Sequence, residues 1–453
     1  MLYESKNPTT EESLRIYPIA TQDEMEQTLD AGVEAFNDWK KRSFAERATY
    51  FNRLADLLES HAVELGIQMA QEMGKPKAEG EGEAKKCAWV CRYYAEHAES
   101  FLQDVPHQSD GSEAYVRFDP IGNVLGVMPW NFPYWQVLRY AAPTLMAGNV
   151  TILKHAPNSP EAAERITALF LEAGFPKGVF QNLRLSNEQA AEVIQDSRIA
   201  GVTLTGSTGA GQAVAALGGK VLKPMVMELG GSDPLIIFPD ADLEQAVTKG
   251  MFSRCLNNGQ SCIAAKRFLV HESILDDFLL KSRNYMAGLK VGDPMEDSTQ
   301  IGPLARKDLQ EQLNNQVERS LEAGANLFYQ GEAPTIGFFY PPSILTDVKP
   351  ENPAAHEEFF GPVAIVIPFS SEEEMLAIAN STNFGLGASV WTQNKERIQR
   401  LVPDIEAGNV FVNGFVKSDP RIPFGGIKMS GFGRELGRDG ILAFVNAKTV
   451  WIG

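Results

Sequence analysis

Apolar positions divide the chain into a helical first part and a longer alternation of strands and helices. Between Asp23 and Gln103 they recur at helical spacing, as at Leu54 and Leu58. After Val124, short apolar runs alternate with amphipathic segments. Strands separated by helices imply crossover connections and therefore parallel sheets. The pattern predicts an α/β protein.

The alternation falls into two series. The first has predicted strands at 124–128, 150–153, 179–183 and 201–204, with helices at 160–173, after 187 and after 208. The second has strands at 235–238, 265–271 and 363–368, with helices at 243–255, 274–287 and 309–323. Residues 114–118 and the closing stretch 437–453 alternate like separate strands. With 453 residues the chain exceeds the roughly 250–300 that one core usually supports, so we expect two or three domains.

Composition excludes several classes of protein. The net charge of −17 and a pI near 4.9 disfavour a nucleic-acid or acidic-membrane partner. No apolar run approaches the roughly 18–20 residues of a membrane span. The first six residues lack the basic start and apolar stretch of a signal peptide, so we expect a cytoplasmic protein.

The four cysteines are too few and too widely spaced for a disulfide framework. Cys87 and Cys91 share one face of a predicted helix, which indicates core thiols. The histidines form no recognisable zinc motif, and we expect no metal site.

Cys262 differs because it ends a short polar run, Asn257–Cys262, between two regular segments. A structural cysteine normally lies among apolar neighbours, so this context favours a reactive thiol. Glu228 precedes it by 34 residues, at the edge of a glycine turn. A nucleophile and a carboxylate base are the usual components of covalent catalysis.

Three further segments carry polar groups at strand ends. Residues Gly206–Gly211 follow a predicted strand and open a helix, where backbone N–H groups hold a phosphate or simply form a tight turn. Gln212 stands where a P-loop requires lysine. Asn131 lies between two prolines, where its amide could donate to an oxyanion or form a hydrogen-bonded turn. Lys154 follows a predicted strand and is either a ligand-binding or a solvated surface lysine.

Taken together, these segments resemble the signature motifs of the aldehyde dehydrogenase superfamily, in the same order from Asn131 to Glu435. The resemblance implies a Rossmann-type cofactor domain, an α/β catalytic domain and a small bridging β element. The corresponding ranges are 1–103 with 121–230 for the dinucleotide-binding domain, 231–436 for the catalytic domain, and 104–120 with 437–453 for oligomerisation strands. A homodimer or homotetramer is expected.

The resemblance also implies roles. Cys262 matches the nucleophile, Glu228 the general base, and Asn131 the donor to the substrate oxygen. The reaction would pass through a thiohemiacetal and a thioester, which water hydrolyses to a carboxylic acid.

The implied cofactor is NAD or NADP. Position 157 often carries a glutamate that holds the ribose hydroxyls and repels a 2′-phosphate; here it is Pro157, so the choice stays open. The Glu357–Glu358 pair could otherwise be a solvated helix end. The expected cofactor-binding residues are Pro129, Trp130, Lys154, Pro157, Gly206, Ser207, Gly211, Glu228, Leu229, Glu358 and Phe360.

The aldehyde is predicted from Arg139, eight residues after Asn131. A guanidinium there suits a substrate with a distal carboxylate. Succinate-semialdehyde dehydrogenases carry arginine at this place. Trp135 and Ser418 of this chain are expected to form further parts of the pocket wall. A structural salt bridge is the alternative role. Many enzymes of that class have a second arginine, where this chain has Leu256.

Two other positions depart from the pattern. Ala264 replaces a second cysteine, which excludes a local disulfide switch, and Tyr140 replaces a lysine common in the superfamily. The alternative functions are a broad-specificity aldehyde dehydrogenase, a coenzyme A-acylating enzyme and a non-catalytic member. Glu228, as the hydrolytic base, disfavours the second, and the joint presence of the three catalytic residues disfavours the third.

Overall fold

A six-stranded sheet forms the first half of the molecule. Residues 3–453 are those that this computed structural model describes. The elements up to residue 230 are β1 (Tyr3–Lys6), β2 (Ser13–Tyr17), α1 (Gln22–Trp39), α2 (Phe44–Ser60), α3 (Ala62–Met73), α4 (Lys77–Phe101), β3 (Val105–Pro106), β4 (Glu113–Pro120), β5 (Asn123–Met128), α5 (Trp135–Met146), β6 (Val150–His155), α6 (Pro160–Glu172), β7 (Phe180–Asn182), α7 (Asn187–Gln195), β8 (Ile199–Thr205), α8 (Thr208–Lys220) and β9 (Met225–Glu228).

The strand order of this sheet is β19-β9-β8-β5-β6-β7, where β19 is the short strand Gly431–Phe432. All neighbouring strands pair in parallel except β19 with β9. The carboxyl ends of β5, β6, β8 and β9 therefore meet at one edge, which is where open α/β sheets bind ligands. The α/β fold class predicted from the alternation is confirmed.

Helices α2 to α5 pack beside this sheet around one large core. Thr21 and Ser43 begin α1 and α2 with capping boxes, each side chain accepting the N–H of a glutamate three residues on. Cys87 and Cys91 are fully buried on α4, so the prediction that they are core thiols is confirmed. All four cysteines are free.

A seven-stranded sheet forms the second half. Its order is β12-β13-β14-β11-β10-β16-β17, parallel except for β12. Its sides are covered by helices, as a parallel sheet requires. The elements are β10 (Pro234–Ile237), α9 (Leu243–Cys255), β11 (Arg267–His271), α10 (Leu275–Ala287), α11 (Lys307–Glu322), β12 (Asn326–Gln330), β13 (Ser343–Thr346), α12 (Pro353–His356), β14 (Val363–Phe369), α13 (Glu372–Asn380), β15 (Phe384–Gly385), β16 (Gly387–Trp391), α14 (Lys395–Leu401), β17 (Asn409–Val412), β18 (Ile427–Lys428), β19 (Gly431–Phe432), α15 (Gly437–Leu442) and β20 (Val445–Ile452).

A third, three-stranded sheet has the order β20-β4-β3. The prediction of strand over all of 437–453 is wrong in its first part, because residues 437–442 form α15. Ile441 is buried there and the Tyr94 hydroxyl donates to the Gly437 carbonyl at 2.9 Å, so packing against α4 favours a helix. The expected use of this sheet in oligomerisation, like the division into domains, stays a prediction.

None of the helices within residues 3–453 is both long enough and apolar enough to cross a membrane. Within the same residues, no group of three or more acidic, histidine or cysteine side chains is arranged to hold a metal ion. The hairpin of β1 and β2 was not predicted from the sequence.

Candidate active site

The carboxyl edge of the six-stranded sheet collects most of the predicted residues. Asn131 follows β5, Lys154 lies near the end of β6, Gly206 follows β8 and Glu228 ends β9. These strands are neighbours, so residues far apart in sequence come to one edge.

Helix α8 begins at the sheet edge with a capped and exposed amino end. The Ser207 hydroxyl accepts the N–H of Ala210 at 3.3 Å and so caps the helix. A Cβ atom at Gly211 would come within 2.4 Å of the Leu229 side chain, so a larger residue there would force Leu229 to shift. The exposed first turn and the helix dipole suit a phosphate group.

Lys154 and Pro157 lie beside the amino-terminal strand. Burial lowers the pKa of Lys154 to about 8. The Glu4 N–H donates to the Pro157 carbonyl at 2.9 Å, and the Tyr3 ring lies 5.9 Å from the Lys154 ammonium. Sequence reasoning missed this use of β1, because its pairing with residue 157 leaves no local signal.

Glu358 and Phe360 approach the same edge from the second half. The Glu358 carboxylate accepts the Gly231 N–H at 3.0 Å and lies 3.3 Å from the Lys266 ammonium. Phe360 packs edge to face on Trp130 with ring centres 5.8 Å apart. Both side chains thus lie where α8 and Lys154 also converge, although their contact with a cofactor stays a prediction.

The loop before Cys262 is held in a strained form. Asn257 and Asn258 have φ angles of 55° and 59°, in the left-handed region. The Asn257 N–H donates to Glu79 at 2.8 Å, and the Asn258 amide donates to the carbonyls of Gly74 and Pro303 at 2.8 Å. These contacts fix the backbone that presents the thiol.

The Cys262 thiol is partly buried and lines a pocket. Burial raises its pKa to about 12, an effect opposed by the charges of Lys266 and Arg139. The Lys266 ammonium donates to the Cys262 carbonyl at 2.7 Å. The resting state is therefore the thiol, and attack on a carbonyl requires a base within reach.

Two N–H donors belong to the Cys262 loop or contact it. The Asn131 amide donates to the Gln260 carbonyl at 3.1 Å, which leaves its second amide hydrogen free. Among the described residues the Cys262 N–H has no acceptor. Two such donors match the requirements of an oxyanion hole.

Glu228 is 2% exposed and is not among the residues that line the pocket. Its Oε1 has no hydrogen-bond partner within residues 3–453 and lies close to Gly425. Burial raises the pKa of Glu228 well above its usual range, the Glu435 charge raises it further, and Arg139 opposes both. To act as a base at the pocket, Glu228 would have to reorient.

Arg139 is buried on α5 with its guanidinium already engaged. It forms an ion pair with Glu435 and donates to the Thr205 hydroxyl at 3.2 Å. It also lies 5.0 Å from the centre of the Phe424 ring. The structure therefore places it at the pocket wall and also in a structural salt bridge, the two roles that the sequence left open.

The pocket beside Cys262 and the open solvent at its mouth together amount to about 540 Å³ of empty space. Trp135, Arg139 and Ser418 line it, and so does Lys86, which sequence reasoning missed. The Lys86 ammonium donates to the Ser418 hydroxyl at 2.8 Å and lies 4.0 Å from the centre of the Trp135 ring. Nothing in the sequence distinguishes Lys86 from its neighbour Lys85.

Glu83 joins helices α4 and α5 behind this pocket. One carboxylate oxygen accepts the backbone N–H groups of Tyr134 and Trp135, each at 2.9 Å. The other oxygen forms a buried ion pair with Lys75. The first turn of α5, which carries Trp135, is thereby fixed to the helix that carries Lys86.

Known proteins match both the sequence and this geometry. The family model described as aldehyde dehydrogenase family matches residues 1–450. A Synechocystis protein named probable succinate-semialdehyde dehydrogenase (NADP+) is 49% identical over 447 residues, which are 98% of each chain. A Mycobacterium bovis protein named succinate-semialdehyde dehydrogenase (NADP+) 1 is 47% identical over 450 residues, again 98% of each.

A solved structure gives the same result for the fold. Succinic semialdehyde dehydrogenase from Streptococcus pyogenes, in complex with NADP+, superposes with a TM-score of 0.97 at 37% identity and covers 99% of both chains. The match covers nearly the whole chain, including the segments that carry Cys262, Asn131 and the amino end of α8. The chain belongs to the aldehyde dehydrogenase family.

Proposed function

We propose that this enzyme oxidises succinate semialdehyde to succinate with NADP as its preferred cofactor. The observation that carries the proposal is the charge of the Cys262 pocket. Its lining includes Lys86, Arg139 and Lys417 and no acidic residue, although the whole chain has a net charge of −17. A cationic pocket favours an aldehyde with a carboxylate at its far end.

The residues at the sheet edge fit a dinucleotide cofactor. The first turn of α8 would hold the pyrophosphate and Lys154 the adenosine ribose, with Pro157 leaving space and no negative charge against a 2′-phosphate. Glu358 would hold the nicotinamide ribose. The relatives whose names specify NADP+ support the same preference.

The thiol of Cys262 gives its proton to solvent water, and the resulting thiolate adds to the aldehyde carbon. The carbonyl oxygen becomes an oxyanion, which the second Asn131 N–H and the Cys262 N–H stabilise. When bound, the nicotinamide cofactor accepts the hydride that leaves the substrate carbon. The adduct on Cys262 then becomes a thioester.

Glu228 completes the cycle by taking a proton from water, which attacks the thioester and releases succinate and the thiol. Because the carboxyl group is buried with a raised pKa, ionisation and reorientation towards the pocket precede this step. Because Glu228 is buried, its side chain has to move towards the pocket before it can act as a base.

The expected assembly is a homodimer or homotetramer through β4 and β20, where Trp451 and Ile452 are about half exposed. A cytoplasmic location is also proposed, since four free cysteines suit a reducing compartment. Light scattering on the purified protein gives the mass of the assembly, and a monomer would contradict the first of these proposals.

The test of function compares kcat/KM for succinate semialdehyde and butyraldehyde, each with NAD and NADP. We expect succinate semialdehyde to be preferred by about 10- to 100-fold, since a charge-assisted contact contributes about 1.5–3 kcal/mol. We expect NADP to be the better cofactor. Equal values for the two aldehydes would instead indicate a broad-specificity enzyme and contradict the substrate assignment.

A further inference from the structure

Lys86 is a cation in the Cys262 pocket without a carboxylate partner. Within residues 3–453 it forms no salt bridge, and its hydrogen bond goes to the neutral hydroxyl of Ser418 at 2.8 Å. Its neighbour Lys85, by contrast, pairs with Glu81 on the helix surface. A partly buried ammonium without a counterion is unfavourable unless a ligand supplies the charge.

The carboxylates around Lys86 are all committed elsewhere. Glu83 pairs with Lys75, and Asp419 is held in a two-pronged contact with Arg421 at 2.6 and 2.8 Å. Glu435 pairs with Arg139.

Arg139 is a weaker receptor than its charge suggests. Glu435 already neutralises it, and both side chains are almost fully buried, so a substrate carboxylate would have to share the guanidinium with a second anion. Lys86 carries no such competitor. Lys417, the third cation of the pocket lining, is exposed to solvent. The free and partly buried positive charge of the pocket therefore lies on α4 and not on α5.

The surroundings of Lys86 suit a carboxylate. Ser418 accepts from the ammonium, so its own hydroxyl hydrogen stays available to a substrate oxygen. The Trp135 ring, 4.0 Å from the ammonium, holds the lysine side chain over the pocket. Burial lowers the pKa of Lys86 to about 8, so the ammonium still predominates at neutral pH.

We propose that Lys86, together with Ser418, binds the distal carboxylate of the aldehyde substrate and sets the preference for dicarboxylic semialdehydes. This inference rests on the proposed function and adds a residue to it. Arg139 then has mainly a structural role, because its ion pair with Glu435 holds the guanidinium in the pocket wall.

The test replaces Lys86 with methionine, which keeps the length of the side chain and removes the charge. Lys85→Met on the same helix is the matched control. We expect Lys86→Met to raise KM for succinate semialdehyde about 10- to 100-fold and to change kcat/KM for butyraldehyde less than about twofold. Lys85→Met should leave both substrates unchanged, and Lys86→Arg should retain the preference in part.

Inhibition by succinate gives a second measurement that needs no turnover of the semialdehyde. Its inhibition constant against butyraldehyde oxidation should rise in Lys86→Met by a similar factor. If the variant loses activity with both aldehydes equally, or keeps the wild-type preference, the inference is overturned. If the wild-type enzyme itself shows no preference for succinate semialdehyde, the proposed function fails and the inference fails with it.

Discussion

The two ends of the pocket are built in different ways. At the reacting end, Cys262 and Asn131 are positioned by backbone contacts of a strained loop and a strand end. At the far end, Lys86 and Ser418 meet through flexible side chains from a helix and a loop. The geometry of the reacting end is thus determined by local backbone structure. The chemistry of the far end is determined by side chains that separate elements direct into the pocket.

Cys262→Ala should have the largest effect, because it removes the only atom that forms the covalent bond. We expect turnover to fall at least ~10⁴-fold with both succinate semialdehyde and butyraldehyde. Steady-state rates check this, with an unchanged melting temperature as the control for folding. If Cys262→Ala retained activity near the wild-type rate, Cys262 could not be the nucleophile.

Glu228→Gln should slow thioester hydrolysis about 10²- to 10⁴-fold without preventing the first half-reaction. The expected result is a burst of reduced cofactor followed by a slow phase, with a succinyl adduct on Cys262 detected by mass spectrometry. A variant that shows neither burst nor adduct would place Glu228 in the first step instead.

Asn131→Ala should lower kcat about 10²- to 10³-fold, the usual cost of losing one oxyanion donor. The reduction should be equal for the two aldehydes, because both develop the same oxyanion. A loss confined to succinate semialdehyde would contradict the separation of the two ends.

The pH dependence of substrate preference should have the smallest effect. Burial lowers the pKa of Lys86 to about 8, so the ammonium is present below that pH and is lost above it. The ratio of kcat/KM for succinate semialdehyde to that for butyraldehyde should be constant below pH 7 and fall by up to about tenfold per pH unit above 8. Taking the ratio cancels the titration of Cys262 and Glu228, which affects both substrates.

The reacting end was predictable because its motifs are continuous in sequence. Asn257–Cys262 and the strand end at Glu228 are short segments whose polarity stands out, and the alternation of strands and helices predicted the parallel sheets that bring them together. The actual closeness of Glu435 to Glu228, which raises the pKa of the latter, depends on tertiary packing and left no pattern.

The far end was predicted only in part. Arg139 was expected to face a carboxylate, but its pairing with Glu435 crosses nearly 300 residues of sequence and could not be foreseen. Lys86 was missed because helical periodicity predicts which face of a helix is buried but does not predict which residues of other elements that face contacts. Similarly, α15 was predicted as strand, because the alternation of β20 was extended across residues whose packing on α4 favours a helix.

The carboxylate of Glu83 holds helices α4 and α5 together independently of the residue that selects the substrate. It joins α4 to α5 through backbone N–H groups and Lys75, and none of these contacts involves the side chain of Lys86 one turn away. Position 86 can therefore accept new side chains during evolution or laboratory design without loosening the helix pair. A family member could change its preferred aldehyde by one substitution and keep its chemistry intact.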